Sequence, residues 1–318
     1  MVGLTYSAGL HRLTANTWAY LQPPGTWGYS NSGLVTGRAE AVLVDSQFTL
    51  PMTRTLLEAV HEAVPDARIT TVVTTHANGD HCWGNQLLPD AASVGSAATA
   101  HEMTHEISPE ALAGLVANSP PDSPIGTYMR RFFGDFDFGG ITVQPPSRTF
   151  SGQTRVAAGG VAVDLVEVGP AHTAGDVIAY VPDDGVLFAG DILFIGDHPV
   201  MWTGPIRNWA AACTRILATG AEIVVPGHGP VVDRSGVARF RDYLEYVDEQ
   251  ATFRYAKGMP YWAAALDMPM PAPYATWGHR ERLVMTVAAI YRDLGFAGPT
   301  DLLTVLGHVA AAYRGLSR

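Results

Sequence analysis

The sequence predicts an α/β fold in which two β-sheets lie face to face with helices on their outer sides. Three observations support this. Strand-like runs gather in two halves of the chain, and each half is followed by helical segments. The strands are short, apolar and rich in β-branched residues, and several end at a His or Asp flanked by glycine.

In chain order, Leu34-Val35-Thr36 and Ala41-Val42-Leu43-Val44 read as a hairpin around Gly37-Arg38. A helix follows near 51–63, then a strand at 69–75. Residues 96–134 interrupt the strand pattern with helical signals, at His101-Glu102-Met103, at Pro109 to Val116 and at Tyr128 to Phe138. This insertion either caps a site or packs its aromatics onto the core. Strands return at 147–156, 160–168, 176–181 and 185–190, before a helix at about 205–217. From Val237 the chain reads mostly helical, broken by the proline-rich Met268-Pro269-Met270-Pro271-Ala272-Pro273. The expected organisation is a core over 1–236, with an insertion near 96–138, and a helical C-terminal extension over 237–318 packed on it.

Chemistry concentrates where strands end. Thr70 to Thr74 leads into Thr75-His76-Ala77-Asn78-Gly79-Asp80-His81, which places two histidines, an asparagine and an aspartate within six residues. Imidazole and carboxylate are the ligands that borderline metals take. Three further runs end the same way: Val161 to Val168 before His172, Gly185 to Gly190 before Asp191, and Glu222 to Val225 before His228. Glycines beside each allow the backbone to approach a ligand closely.

With these four motifs in this order, the sequence resembles the metallo-β-lactamase-fold hydrolases over roughly residues 30–232. The resemblance implies a four-layer αββα sandwich. It also implies that His76 and His172 serve one metal, that Asp80, His81 and His228 serve a second, and that Asp191 bridges. Asn78 stands where the family has its second histidine, and an amide oxygen is the weaker donor. A weak or water-mediated contact there predicts a tighter second site. Zinc is the expected ion, with iron and manganese also compatible with the ligand set. A divalent ion lowers the pKa of a coordinated water from about 16 to about 7 and polarises a carbonyl, and Asp80 is the candidate to take and return the proton.

Asp45, Thr75 and Asp176 are expected to hydrogen-bond the ligands from behind, Asp176 foremost. The histidines outside the motifs, such as His101, His198 and His279, read as surface or packing residues, and Cys82 as a buried structural thiol.

Charged residues are 16% of the chain and hydrophobic ones 47%, with no apolar run of about 20 residues, so no membrane partner is expected. The N-terminal residues show no secretory pattern, and two cysteines make no disulfide framework. Both point to the cytoplasm. A net charge of −10 without a sustained basic face argues against nucleic acid as a partner. Oligomeric state is not legible.

Met201 and Trp202 after the bridging aspartate, Tyr128 and Phe132 in the insertion, and Trp18, Tyr20, Trp27 and Tyr29 near the N-terminus together predict an aromatic mouth for an apolar acyl substrate. His-Ala-Asn-Gly-Asp-His-Cys-Trp-Gly-Asn, Pro-Val-Met-Trp-x-Gly-Pro and the helical tail are also similar to the actinorhodin-type second-ring polyketide cyclases. That resemblance implies aldol ring closure and thioester hydrolysis of a carrier-protein-bound polyketide. A general hydrolase of lactones, esters or β-lactams and a non-catalytic metal-binding scaffold are the alternatives.

Overall fold

The computed structural model describes residues 4–316. Seven strands form one sheet in sequence order: β1 (Gly9–Arg12), β2 (Thr17–Leu21), β3 (Ser32–Thr36), β4 (Glu40–Val44), β5 (Arg68–Val73), β6 (Ala92–Ser96) and β7 (Arg148–Phe150). The first four are antiparallel, and β4 through β7 run parallel. A second sheet contains β8 (Gln153–Ala158), β9 (Val161–Glu167), β10 (Val177–Val181), β11 (Val186–Phe188) and β12 (Ile223–Val225), antiparallel except for the β11–β12 pair.

Alternation along each strand sets the layers. Val35, Val42, Val44 and Val73 of the first sheet meet Val163, Leu165, Ala179 and Phe188 of the second in one buried core. Gly33 belongs to this contact, because a Cβ there would lie 2.4 Å from the Phe188 ring. The opposite residues, Leu34, Ala41 and Leu43, pack against Leu56 and Val60 of helix α1 (Leu50–Ala63). Outside the second sheet, Ile178, Leu187 and Val224 pack with α6 (Ile206–Thr219) and α7 (Arg234–Ala256). The result is the expected four layers.

The other helices are α2 (Gly79–Cys82), α3 (Ala97–Glu102), α4 (Pro109–Asn118), α5 (Pro124–Phe133), α8 (Tyr261–Asp267), α9 (Leu283–Asp293) and α10 (Leu302–Leu316). Helices α4 and α5 come from the insertion, and α5 packs against α10 and α4. Their buried side chains, Leu112, Met129 and Phe133, share one core with Val284, Leu306 and the outer face of the second sheet. The insertion therefore forms both a packed layer and, through the same residues, a wall of the cavity described below.

Two expectations need correction. The strand anticipated at 147–156 is two strands in different sheets. The chain turns at Ser151 and Gly152, the latter with φ of +74°, and crosses from β7 to β8. Ser151-Gly152 is the turn signal within this run that marks the crossing. Strand β6 falls just ahead of the region read as helical, where no strand is predicted, because the small residues of Ala92-Ser93-Val94-Gly95-Ser96 give a weak strand signal and pairing with β5 and β7 decides its state. Ser96 then caps α3 by accepting from Thr99 N.

Candidate metal centre

Four loops converge at one end of the two sheets. The loop after β5 and helix α2 bring His76, Asn78, Asp80 and His81. The loop after β9 brings His172, the turn after β11 brings Asp191, and the loop after β12 brings His228. Carboxylate and imidazole atoms face one another at short range. Asp191 Oδ1 lies 3.1 Å from His81 Nε2, and Asp191 Oδ2 lies 3.7 Å from His76 Nε2, 3.3 Å from His172 Nε2 and 3.4 Å from His228 Nε2. Asp80 Oδ2 is 3.4 Å from His228 Nε2. The backbone also comes close: a Cβ on Gly227 would fall 1.9 Å from Asp191 Oδ1, so only glycine fits there.

The outer ring nitrogens fix which atoms face inward. Asp45 accepts from Thr75 N through Oδ1, and from both Thr75 Oγ1 and His81 Nδ1 through Oδ2, each at 2.8 Å. The Thr75 hydroxyl, with its proton directed to Asp45, accepts from His76 Nδ1 at 2.9 Å. His172 Nδ1 donates to Val200 O at 2.7 Å, and His228 Nδ1 to Gly25 O at 3.0 Å. In the neutral rings, all four Nε2 lone pairs therefore point at two carboxylates. His76 Nε2, His81 Nε2 and Asp191 Oδ1 are buried without any hydrogen-bond partner.

A buried cluster of acceptors needs a cation. Two atoms ligating one tetrahedral zinc at about 2.1 Å stand roughly 3.4 Å apart, which the separations above match. The His76, His81, Asp191 group and the Asp80, His81, His228 group each bring their ligand atoms within 4.8 Å of one another. Asn78 Oδ1 sits 2.8 Å from His172 Nε2. Two lone pairs at that distance require a rotated amide that donates its N–H, or a cation held by both. The residues present fit a metal ion.

Protons take the place of positive charge in the metal-free protein. Burial lowers His76 well below the usual histidine range, helped by His81, and burial also lowers His172. Burial pulls His81 and His228 down too, but the charges of Asp191 and Asp80 outweigh it. They raise His81 well above its ordinary value and His228 to about 9. Burial would raise Asp191, yet His228, His81 and His76 hold it well below the carboxylate range.

The expected supporting residues divide. Asp45 and Thr75 touch ligand rings. Asp176 does not: its carboxylate accepts from Thr173 N and Thr173 Oγ1, bracing the turn beside His172, and burial pushes its pKa up to about 8. The acceptors for His172 and His228 are instead backbone carbonyls, for which side-chain identity gives no signal. Cys82 is buried, its thiol pushed far up by burial, with Sγ donating to Asn78 O at 3.3 Å. His198 is also buried, its ring paired with Tyr243 Oη at 2.7 Å away from the cluster.

The cluster opens into a cavity of about 130 Å³. Asn78, Asp80, His172, Asp191 and His228 line one part. Trp27, Phe48, Trp83, Phe133, Phe194 and Trp202 supply aromatic walls, and Leu112, Met129, Met285 and Leu306 aliphatic ones. Trp202 lies where expected, but Met201, Tyr128 and Phe132 do not line the cavity. Helix α5 turns Met129 and Phe133 inward, which puts the adjacent i, i+4 pair on another stripe. Tyr128 and Phe132 there pack on Tyr313 of α10. Met201 is buried in the core beside Gly204. Trp18 and Tyr20 face the α1 side of the first sheet, and Tyr29 packs on Phe136.

The profile described as the Metallo-beta-lactamase superfamily matches residues 25–228. The chain belongs to the metallo-beta-lactamase superfamily. A type 2 metallo-beta-lactamase from Bacillus cereus is 22% identical over 249 residues, covering 76% of this chain and 84% of its own. The alpha subunit of 2,4-dinitroanisole O-demethylase from Nocardioides sp. (strain JS1661) is 24% identical over 201 residues. That match covers 61% of this chain, which spans only 51% of the subunit's length. Among solved structures, a metallo-beta-lactamase from Pontibacter korlensis aligns with a TM-score of 0.57 at 22% identity, over 75% of this chain and 99% of that one. The sec-alkylsulfatase Pisa1 from Pseudomonas sp. aligns with a TM-score of 0.68 at 17% identity, over 92% of this chain and 52% of that one. The superfamily fold thus accounts for the sandwich and the converging loops. The superfamily's metal chemistry agrees with the acceptor cluster, which sits at the loop ends.

Two outcomes are expected. Because His228 is raised to about 9 and His81 is raised as well, zinc binding there at pH 7 releases protons. The share from His228 fades, and affinity climbs, as pH rises through about 9. Calorimetry in buffers of different ionisation heat counts the protons, and zero release contradicts this arrangement. Asp45→Asn removes the acceptor shared by His81 and Thr75 and should weaken zinc binding about 10–100-fold, measured by competition with a chromophoric chelator.

Proposed function

We propose that this superfamily hydrolase acts on an activated acyl group carried by a large apolar, aromatic body, and that the substrate class is an aromatic polyketide thioester. The observation that carries the reading is that the acceptor cluster opens into a cavity walled by aromatic and aliphatic side chains, several of them from the insertion and the C-terminal helices. Such walls favour a broad, flat substrate over a small polar one.

A bound divalent ion, zinc by the ligand set, supplies carbonyl polarisation and an acidified water. His76, His172, Asp191 and the Asn78 amide are assigned to one ion, and Asp80, His81, His228 and Asp191 to the other. Asp80 is assigned the proton transfer. Its carboxylate is the more exposed of the two, at 16% against 4% for Asp191, and it lines the cavity. It can accept the proton of the attacking water and return it to the leaving thiolate. For ring closure the same carboxylate takes the proton of an activated methylene. Phe194 stacks on the His228 ring at 5.0 Å, and Trp209 packs on His172 at 5.5 Å, which holds both rings in place and keeps that side dry.

Two free, buried thiols suit a reducing cytoplasm. Among the described residues no helix is long and apolar enough to cross a membrane. A carrier protein presenting the thioester is the partner this reading calls for.

A second reading follows from the 92% of the chain that aligns with the alkylsulfatase, which takes in the C-terminal helices as well as the sandwich. An alkyl sulfate also pairs an apolar body with an activated C–O bond.

Zinc-reconstituted protein given an aromatic β-ketoacyl thioester should release free acid or lose water. The rate should fall at least about 100-fold in His228→Ala. Product mass identifies the step. Turnover of an alkyl sulfate but not of the thioester replaces this reading with the second. The amide at Asn78 should leave one ion weakly held, so elemental analysis after mild chelation should find one equivalent of zinc. Two equivalents overturn the assignment of Asn78 as the weaker ligand.

A further inference from the structure

Arg282 lies outside the region matched by the superfamily profile, between a short turn at Arg280–Arg282 and the start of α9. It is 1% exposed, yet it lines the same cavity as the metal cluster and is that cavity's one Lys or Arg side chain among the described residues. Its Cζ sits 4.5 Å from the centre of the Trp27 ring, and Trp27 stands 6.5 Å from Trp202, whose backbone N–H donates to His172 O.

The guanidinium is under-used for a buried cation. Nη2 donates to Thr26 Oγ1 at 3.0 Å, Nη1 is 3.9 Å from Asp197 Oδ2, and Nε is buried with no partner. The neighbouring carboxylate does not fill the gap, because Glu281 is engaged by Tyr128 Oη and His279 Nδ1, both at 3.3 Å. Arg241 and Arg280 of the extension also leave Nε unpartnered, but Arg241 pairs with Asp242 at 2.9 Å, Arg280 donates to Leu266 O and Met268 O, and neither lines the cavity; Arg254 pairs with Asp267 at 2.9 Å and reaches two carbonyls. A buried arginine with free donors is costly unless something completes it. Stacking on an indole leaves the N–H edges available for an oxyanion.

We infer that Arg282 is a substrate-positioning residue that binds an oxyanion at one end of the apolar substrate, a carboxylate or a sulfate, while the reacting bond lies at the metal cluster. The inference rests on the proposed reading of an aromatic substrate in this cavity and adds to it the requirement of an anionic group away from the reacting bond. Trp27 fits both demands, with its ring on the cavity wall and its Nε1–H held by Tyr128 Oη at 2.7 Å.

The test uses zinc-loaded protein and three ligands that are followed by tryptophan quenching: 2-naphthoate, 2-naphthyl sulfate and the neutral 2-naphthamide. In the native protein at least one anion should bind about tenfold or more tightly than the amide. The better anion tells carboxylate from sulfate. In Arg282→Met the advantage should shrink to within about twofold. Arg282→Lys keeps the charge without the planar fork and should lose about threefold, and it carries the test if the methionine variant does not fold. No anion preference in the native protein overturns the inference. So does a preference unchanged in the variant that folds, since the anion would then be held by the metal. The readout is binding, so its failure leaves the thioester assay standing, and failure of that assay leaves this result intact.

Discussion

Asp45 leaves β4 in a left-handed conformation, with φ of +63°, and its carboxylate accepts three hydrogen bonds from the next loop of the sheet, two from Thr75 and one from His81. That backbone geometry costs an L-residue about 1 kcal/mol or more, though Asp tolerates it better than most. In return one buried group fixes the tautomer of His81 directly and that of His76 through the Thr75 hydroxyl. Half the imidazole ligands thus take their orientation from a single side chain. The carbonyls of Val200 and Gly25 do the same for His172 and His228. With the rings neutral, the inward face that results contains acceptors only, and this is why a cation, whether metal ion or proton, belongs there.

The sandwich brings the loops together and supplies the walls Trp27, Phe48, Trp83, Phe194 and Trp202. The rest of the enclosure comes from two helical segments far apart in sequence, the insertion and the C-terminal extension, which meet where α5 packs on α10. Each contributes cavity wall: Leu112 and Phe133 from the first, Met285 and Leu306 from the second. The superfamily profile ends at residue 228, so the walls from Met285 and Leu306 lie outside the matched region, while the aromatic walls and the insertion lie within it. Arg282 also lies outside the matched region, which makes the extension a contributor of specificity as well as of cover.

Much of the centre was legible in the sequence because ligand chemistry is local. A strand that ends in His or Asp beside glycine carries its ligand to the sheet end whatever lies elsewhere, and four such endings in one chain select few architectures. Asp45 at the end of β4 was legible for the same reason. Asp176 was not, because a carboxylate three residues after Thr173 closes its own turn in preference to reaching the ring of His172. The mouth was misread at Tyr128 and Phe132 because an amphipathic helix with aromatics on adjacent stripes does not say which stripe faces the cavity.

By itself the sequence determined which His and Asp residues stand at the strand ends, the strands that deliver them and the order in which they come, since these follow from residue chemistry and short-range periodicity. Tertiary structure alone decided that β7 and β8 join different sheets, which carbonyls hold His172 and His228, which face of α5 lines the cavity, and that Arg282 reaches it at all. Each of these depends on contacts between segments tens to hundreds of residues apart, and the packing of two sheets and two helical segments sets such contacts collectively.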